Sequence, residues 1–357
     1  FGGKGHNLAR LKRLGFQVPA GGILIADVYR RFMQRPELAV RVEALREAAA
    51  EDVLQEDVAD RLSQLRDEIK NAPLESAVED ALRRLLEQPD LAGQAVAVRS
   101  SAVSEDGPTT SFAGIHQSFL NVCGLDDVVQ SVKRCFASLW TTQAVAYRRK
   151  FKITDDDASC AVVICAMVVP AAEDLPVASG VSFSCDPRTG RRDLSVVNAA
   201  AEIGEAVVSG DVNPDEFHFL ANHGLWSIAK RPSSPTVELS DQQLLELARL
   251  VDRIQGALGD SQDPQDVEWV FDGQRFWILQ ARPVTHLPHN TWPEAVGLPV
   301  HWSNANVKDA VPGVLTPLTW SASLVVIRQV AFAPLALAGV PVPPGMEVIR
   351  RHSGRAY

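Results

Sequence analysis

The stretch that most restricts the fold is Asp266-Val267-Glu268-Trp269-Val270-Phe271, a turn at Asp272-Gly273, and then Phe276-Trp277-Ile278-Leu279-Gln280-Ala281-Arg282. Two runs of alternating apolar and polar residues flank an Asp-Gly pair, the strongest short-range signal for a β-hairpin. Side chains alternate across a strand, so Asp266 and Glu268 share one face, as do Gln280 and Arg282 on the returning strand. Two carboxylates, an amide and a guanidinium are thereby displayed together among Val, Trp, Ile and Leu. Oxygen ligands of this kind suit magnesium, and the planar fork of an arginine suits phosphate. The plainer alternative is a half-buried hairpin with a polar face in water.

The remainder of the chain bears on that choice. Its 357 residues leave room for two or three domains, and 46% hydrophobic with 22% charged residues is the balance of a water-soluble globular protein. A net charge of −9 argues against a general nucleic-acid-binding surface, while leaving room for a local basic pocket that takes one anion. No apolar run approaches the length of a membrane span, and no charged segment followed by an apolar stretch opens the chain, so a cytoplasmic protein with no membrane partner is expected. The five cysteines form no C-x-x-C pair, which fits reduced thiols in a core. Both ends read as cut: Phe1 falls inside a glycine-rich loop, and Tyr357 follows a basic segment.

Periodicity organises the rest. Phe1 to Gly5 reads as a loop and His6 to Leu14 as a helix stopped by Gly15. A short strand is expected at Ile23–Ile25, followed by a helix capped by Asp27, and then a charged helical insert over about residues 39–88. Ala95 to Val98 reads as a buried strand running into Arg99-Ser100-Ser101-Ala102, with a loop of small and turn residues from Ser104 to Gly114. Strands are expected at 118–122, 161–169, 180–184 and 194–197, and helices at 126–139 and 241–258; residues 285–299 read as a linker. Strands and helices mix without βαβ alternation. The expectation is therefore an α+β chain with at least two lobes: a first lobe with its helical insert over 1–160, a second over 161–285, and a linker with the start of a further domain over 286–357.

Other candidate residues cluster at the ends of these elements. Lys4 is flanked by glycines at the start of a helix, where backbone N–H groups and an ammonium can surround phosphate oxygens; a solvated loop lysine is the bland alternative. Arg99 ends a buried strand, as a phosphate clamp or as half of a structural ion pair. The loop holding Ser104, Thr109, Thr110, Ser111 and Gly114 offers hydroxyls and unhindered amides that can close over a polyphosphate. Met167 and Val168, before a Pro-Ala-Ala turn, offer backbone groups and apolar surface to a purine. The eight histidines show no metal-ligand spacing, and neither a G-x-S-x-G elbow nor a G-x-G-x-x-G helix opening is found.

Taken in order, Gly2-Gly3-Lys4-Gly5, Val98-Arg99-Ser100-Ser101-Ala102, Ser111-Phe112-Ala113-Gly114, Ser179-Gly180-Val181, Asp186-Pro187, Gly204 to Gly210, Gln265-Asp266-Val267-Glu268 and Leu279-Gln280-Ala281-Arg282-Pro283 resemble one known domain. It is the N-terminal nucleotide-binding domain of the phosphoenolpyruvate synthase and pyruvate phosphate dikinase family, which includes the rifampin phosphotransferases. The resemblance covers residues 1–285. It implies an ATP-grasp fold, with ATP held between two α+β lobes. Lys4, Arg99 and Arg282 would then be the catalytic cations on the triphosphate. Glu268 and Gln280 would hold Mg2+ with Asp266 nearby, Ser111 to Gly114 would belong to the covering loop, and Met167 and Val168 to the adenine hinge. The β-phosphate of ATP would pass to a histidine on a separate swivelling domain, and onward to a small-molecule acceptor: pyruvate, or an antibiotic hydroxyl.

Two departures accompany the resemblance. Cys165 stands where family members often carry glutamine, and none of the histidines lies in the glycine-rich context of a phosphorylated histidine. A module that binds nucleotide, or only keeps the fold, without transferring phosphate is the alternative. The segments Trp302 to Val307 and Pro312 to Ser321 resemble the opening of the central domain in rifampin-phosphotransferase-like and synthase-like members.

Overall fold

The computed structural model describes residues 2–48, 56–102, 117–151, 153–155, 158–172, 175–201, 213–222, 225–258 and 263–285, with isolated residues or pairs at 106–107, 110–111, 287, 320–321, 325–326, 338, 351–352 and 355–356. Phe1–Cys185 and Leu194–His286 make one compact unit; Asp186–Asp193 and Leu287–Tyr357 make a second. In the second unit the Asp186 carboxylate gathers the Arg188 N–H and the Thr189 hydroxyl into a tight turn, and a short ladder pairs Arg351–His352 with Arg355–Ala356.

The first unit is α+β and is built on two antiparallel sheets. Strands β1 (Gly21–Leu24), β2 (Val96–Ala102), β5 (Ser118–Val122) and β6 (Cys160–Ala166) form a four-stranded sheet in the order β1-β6-β2-β5. The short strands β3 (Asp106–Gly107) and β4 (Thr110–Ser111) pair with each other in the loop after β2. Strands β7 (Ala178–Phe183), β8 (Leu194–Ala200), β9 (Asp215–Asn222), β10 (Leu225–Lys230), β11 (Gln265–Phe271) and β12 (Phe276–Pro283) form a six-stranded sheet in the order β10-β9-β8-β7-β11-β12. The strand that starts at Cys160 hydrogen-bonds within the first sheet, and the next strand along the chain, β7, within the second.

Each sheet buries one face under helices. Helices α2 (Ala26–Met33), α3 (Pro36–Ala48), α4 (Glu56–Asn71), α5 (Ser76–Leu86) and α6 (Gly124–Ser138) supply Phe32, Leu38, Leu62, Leu65, Ile69, Leu82, Val132 and Phe136, which share one core with Val96, Val98, Val162 and Ile164. Alternation on β2 and β6 therefore turns Ala97, Arg99 and Ser101, with Val163 and Cys165, to the opposite face. Helix α7 (Thr142–Lys150) follows, capped by the Thr141 hydroxyl on the Ala144 N–H. In the second sheet, helix α8 (Asp241–Leu258) lays Leu244, Leu247, Val251 and Ile254 on Phe217, Phe219, Val267, Trp269 and Ile278. Helix α1 (Gly3–Arg13) adds Leu11 to that core.

Two local expectations change and one holds. Helix α1 starts at Gly3, not His6, because its first turn is docked against β2: the Gly5 N–H donates to Ser101 Oγ at 3.2 Å, and a Cβ on Gly2 would stand 2.0 Å from the Ser101 carbonyl oxygen. Packing there overrides the low helix propensity of glycine. Gly15, at φ +84°, ends the helix with Phe16 N–H on Leu11 O and Gly15 N–H on Lys12 O, as the helix-stop expectation required. Asp27 is not a cap; Ile25 holds that position, and Asp27 lies in the first turn of α2, paired with Arg30.

Candidate functional site

The hairpin of β11 and β12 turns at Gly273, whose φ of +96° favours glycine, with Asp272 Oδ1 accepting from the Gln274 and Arg275 N–H groups. Val267, Trp269 and Phe271 point into the core, leaving Asp266 and Glu268 on the other face. On β12, Ile278 and Ala281 face the core, while a bulge shifts the pairing from Glu268↔Gln280 to Trp269↔Ile278. Leu279 is the extra residue at that bulge, so its carbonyl is released from the ladder. Arg99 takes it: Nη1 donates to Leu279 O at 3.1 Å and Nη2 to Glu268 Oε2 at 2.6 Å.

Arg99 thus ties the four-stranded sheet to the hairpin. Its side chain is 14% exposed and that of Glu268 12%, so the pair sits away from solvent screening. Arg282 forms a second pair, with Nε and Nη2 at 2.9 and 2.8 Å from Asp266 Oδ2. Burial would push the Glu268 carboxyl up; the Arg99 charge and hydrogen bond, helped by Lys4 and Arg282, outweigh it and hold Glu268 below the usual glutamate range. Asp266 goes the other way. Burial, with Glu268 adding to it, lifts its carboxyl above the usual aspartate range despite Arg282. Lys4 lies half-buried in the first turn of α1, a turn that holds no acidic side chain.

Helix α1 is fastened to both sheets: to β2 through Gly5 and Ser101, and to β12 through Asn7, whose Nδ2 donates to Ala281 O at 2.9 Å. Three cations therefore face two carboxylates and the Gln280 amide on one set of strands. Two oxygens in this cluster, Asp266 Oδ1 and Gln280 Oε1, are buried without a hydrogen-bond partner. Leaving buried acceptors unmet costs stability, and such atoms ask for a donor or a cation. Among the described residues no three His, Cys, Asp or Glu side chains gather as a closed metal set.

Beside the charged cluster lies a cavity of about 290 Å³, lined by Leu8, Pro19, Gly21, Val163, Cys165 and Leu279, with Lys12 at its wall. Burial pushes the Cys165 thiol up, against a smaller pull down from Arg99. Met167 and Val168 follow β6 and are half-buried; the Met167 N–H already donates to Ala95 O at 2.9 Å, and neither lines this cavity. Of the covering loop, Ser111 is described as a backbone position in β4, while Gly114, like the Gly204 to Gly210 segment, lies outside the described residues.

The structure thus brings together Lys4, Arg99, Asp266, Glu268, Gln280 and Arg282 from three separate stretches of chain. Sequence reasoning assigned nothing to Leu279, Asn7 or Ser101. A bulge leaves no sequence signal, but Asn7 lies three residues after Lys4, a spacing that puts both on one side of a helix.

Two antiparallel sheets with a basic and acidic cluster between them define an ATP-grasp domain. The family model described as pyruvate phosphate dikinase, AMP/ATP-binding domain, matches residues 1–235 and 226–296, and the chain belongs to that family. A rifampicin phosphotransferase from Streptomyces sviceus is 36% identical over 312 residues, covering 80% of this chain and 34% of that protein. A probable phosphoenolpyruvate synthase from Pyrococcus abyssi is 30% identical over 364 residues, covering 82% of this chain and 43% of its own. A rifampicin phosphotransferase from Bacillus subtilis is 32% identical over 308 residues, again covering 80% and 34%. The chain therefore spans between about a third and just over two fifths of the length of these relatives. No helix among the described residues is long and apolar enough to cross a membrane.

Proposed function

We propose that this chain is the ATP-binding part of a phosphotransferase, which delivers the β-phosphate of ATP to a histidine on a separate swivelling domain. The observation that carries the reading is the convergence of Arg99, Lys4 and Arg282 on Glu268, with Arg282 paired to Asp266. Phosphoryl transfer asks a protein chiefly for positioning and charge neutralisation. A triphosphate arriving here competes with Glu268 and Asp266 for the two guanidiniums, each of which can take phosphate oxygens in a bidentate grip. Glu268 and Gln280 would hold magnesium, with Asp266 supporting, and the two unmet oxygens fit that donor set. Bound there, the ion would neutralise part of the phosphate charge. The base goes to the apolar cavity against Cys165 and Leu279, with Met167 and Val168 following Cys165 along the chain as the hinge, while Ser111 and Gly114 belong to the loop that covers the phosphates.

In the transfer, the histidine nitrogen bonds to the β-phosphorus as its link to AMP breaks. Water takes the γ-phosphate as inorganic phosphate, and the phosphorylated histidine passes its group to a small-molecule acceptor such as pyruvate or an antibiotic hydroxyl. The relatives' names support both acceptors equally. The test is incubation of the full-length polypeptide with ATP labelled at the β- or the γ-phosphate. Histidine labelled from the β position, with AMP released, is expected. Tight ATP binding with no label on histidine would instead favour a module that binds nucleotide without transferring phosphate.

A further inference from the structure

We propose that Asn7 and Ser101 are positioning residues that hold Lys4 in register with Arg99 and Arg282. The inference rests on reading the cluster as a polyphosphate site. Lysine carries its charge on a flexible four-carbon stem, so the reach of its ammonium depends on where its backbone is anchored. Two side-chain hydrogen bonds anchor the first two turns of α1. One runs from the Gly5 N–H, next to Lys4, to Ser101 Oγ, two residues beyond Arg99 on β2. The other runs from Asn7 Nδ2 to the carbonyl of Ala281, the residue between Gln280 and Arg282 on β12.

The two anchors differ from ordinary packing in what they join. Each links the helix bearing Lys4 to a strand bearing one of the arginines, and each does so within two residues of that arginine. The fit on the β2 side is close enough that a Cβ at Gly2 would stand 2.0 Å from Ser101 O and 2.3 Å from Ser101 Oγ. On the β12 side the helix meets an edge strand, and the next link in the chain does the same: the Ile278 N–H donates to Gln17 O at 2.8 Å. The backbone of α1 is thereby fixed to β2 at its start and to β12 along its side, and the spacing of the three cations follows from those two attachments.

A purely structural role predicts loss of stability and an equal loss of every ligand. A positioning role predicts coupling to Lys4. Calorimetric titration with Mg-ATP and with AMP separates the two, using the unaltered chain, Asn7→Ala, Lys4→Ala and the double variant. Asn7→Ala is expected to weaken Mg-ATP about five- to tenfold, the size of a coupling between neighbours, and to leave AMP within twofold. In the Lys4→Ala background the same substitution should cost nothing further. Ser101→Ala, which removes the acceptor with little change of volume, should repeat the pattern and stands in if Asn7→Ala fails to fold by circular dichroism. Equal losses in both backgrounds, or for ATP and AMP alike, overturn the inference while leaving the site intact. No Mg-ATP binding by the unaltered chain overturns the site and the inference together.

Discussion

The six-stranded sheet carries a hairpin at each edge, and the two make an instructive pair. At one edge β9 and β10 place Glu216 beside His218 and Lys230, with Glu216 Oε1 at 2.8 and 2.9 Å from the two nitrogens. At the other, β11 and β12 place Asp266 and Glu268 beside Gln280 and Arg282. Both hairpins contain a register shift, and both put their charges on the face away from the core. Strand pairing even sets Gln280, Glu268, Val181, Asn198 and Glu216 in one row across the sheet. What differs is the covering. Lys230 is 55% and Glu216 29% exposed, against 14% for Arg99 and 12% for Glu268, and the second hairpin, fastened to Arg99 and α1, holds two unmet oxygens. Residue type alone does not separate a solvated face from a site; burial with unmet valence does.

The largest predicted contrast is between the two glutamates. Glu268→Ala removes the carboxylate proposed to hold magnesium, so Mg-ATP affinity should fall by about 30-fold or more, the size of a lost buried charged contact, even though Arg99 is freed for phosphate. Glu216→Ala should change it by less than about twofold, as for an exposed pair. Calorimetry on both variants, with folding checked by circular dichroism, decides the matter; similar losses would erase the contrast. Next in size are the cations. Arg282→Ala should weaken Mg-ATP about tenfold, as for a lost charge-assisted hydrogen bond, with Lys230→Ala as the silent partner in the same titration.

The smallest effect is one of pH, and it has two signs. Glu268 is held below its ordinary value, so its contribution to stability is full above about pH 4.3 and is lost as pH falls through its lowered value. Asp266 is raised, so its ionised form costs stability at neutral pH, and that cost is relieved on acidification. Urea midpoints between pH 7 and pH 3 should therefore show the unaltered chain losing ground to Glu268→Gln and gaining ground on Asp266→Asn. Parallel trends would mean that the two carboxylates share one environment.

Much of this was legible from residues. The Asp-Gly turn and its flanking alternation marked β11 and β12, and the apolar stripe Leu244, Leu247, Val251 and Ile254 marked α8 over its full length. Ser118–Val122 is a strand at the expected bounds. The stretch expected to run as a strand to Val169 instead leaves the ladder after Ala166, because a continuous apolar run carries no periodic signal of its end. The opposite hairpin escaped sequence reasoning, although Glu216-Phe217-His218-Phe219 alternates as a half-buried strand should. The candidate site was legible as a set of residue types in order, but not as pairs. Nothing in the sequence says that Arg99 grips Glu268 while Arg282 grips Asp266, since partners 169 and 16 residues apart are chosen by sheet packing.

The central claim is that the covered hairpin is a magnesium and phosphate edge. Its most direct test is ATP titration with and without magnesium, on the unaltered chain and on Gln280→Ala, which removes one of the unmet oxygens without touching a charge. Magnesium should strengthen ATP binding by the unaltered chain, and that increment should largely vanish in Gln280→Ala while metal-free affinity stays within about twofold, since every charge facing the phosphates is kept. An increment of the same size in both proteins would contradict the account.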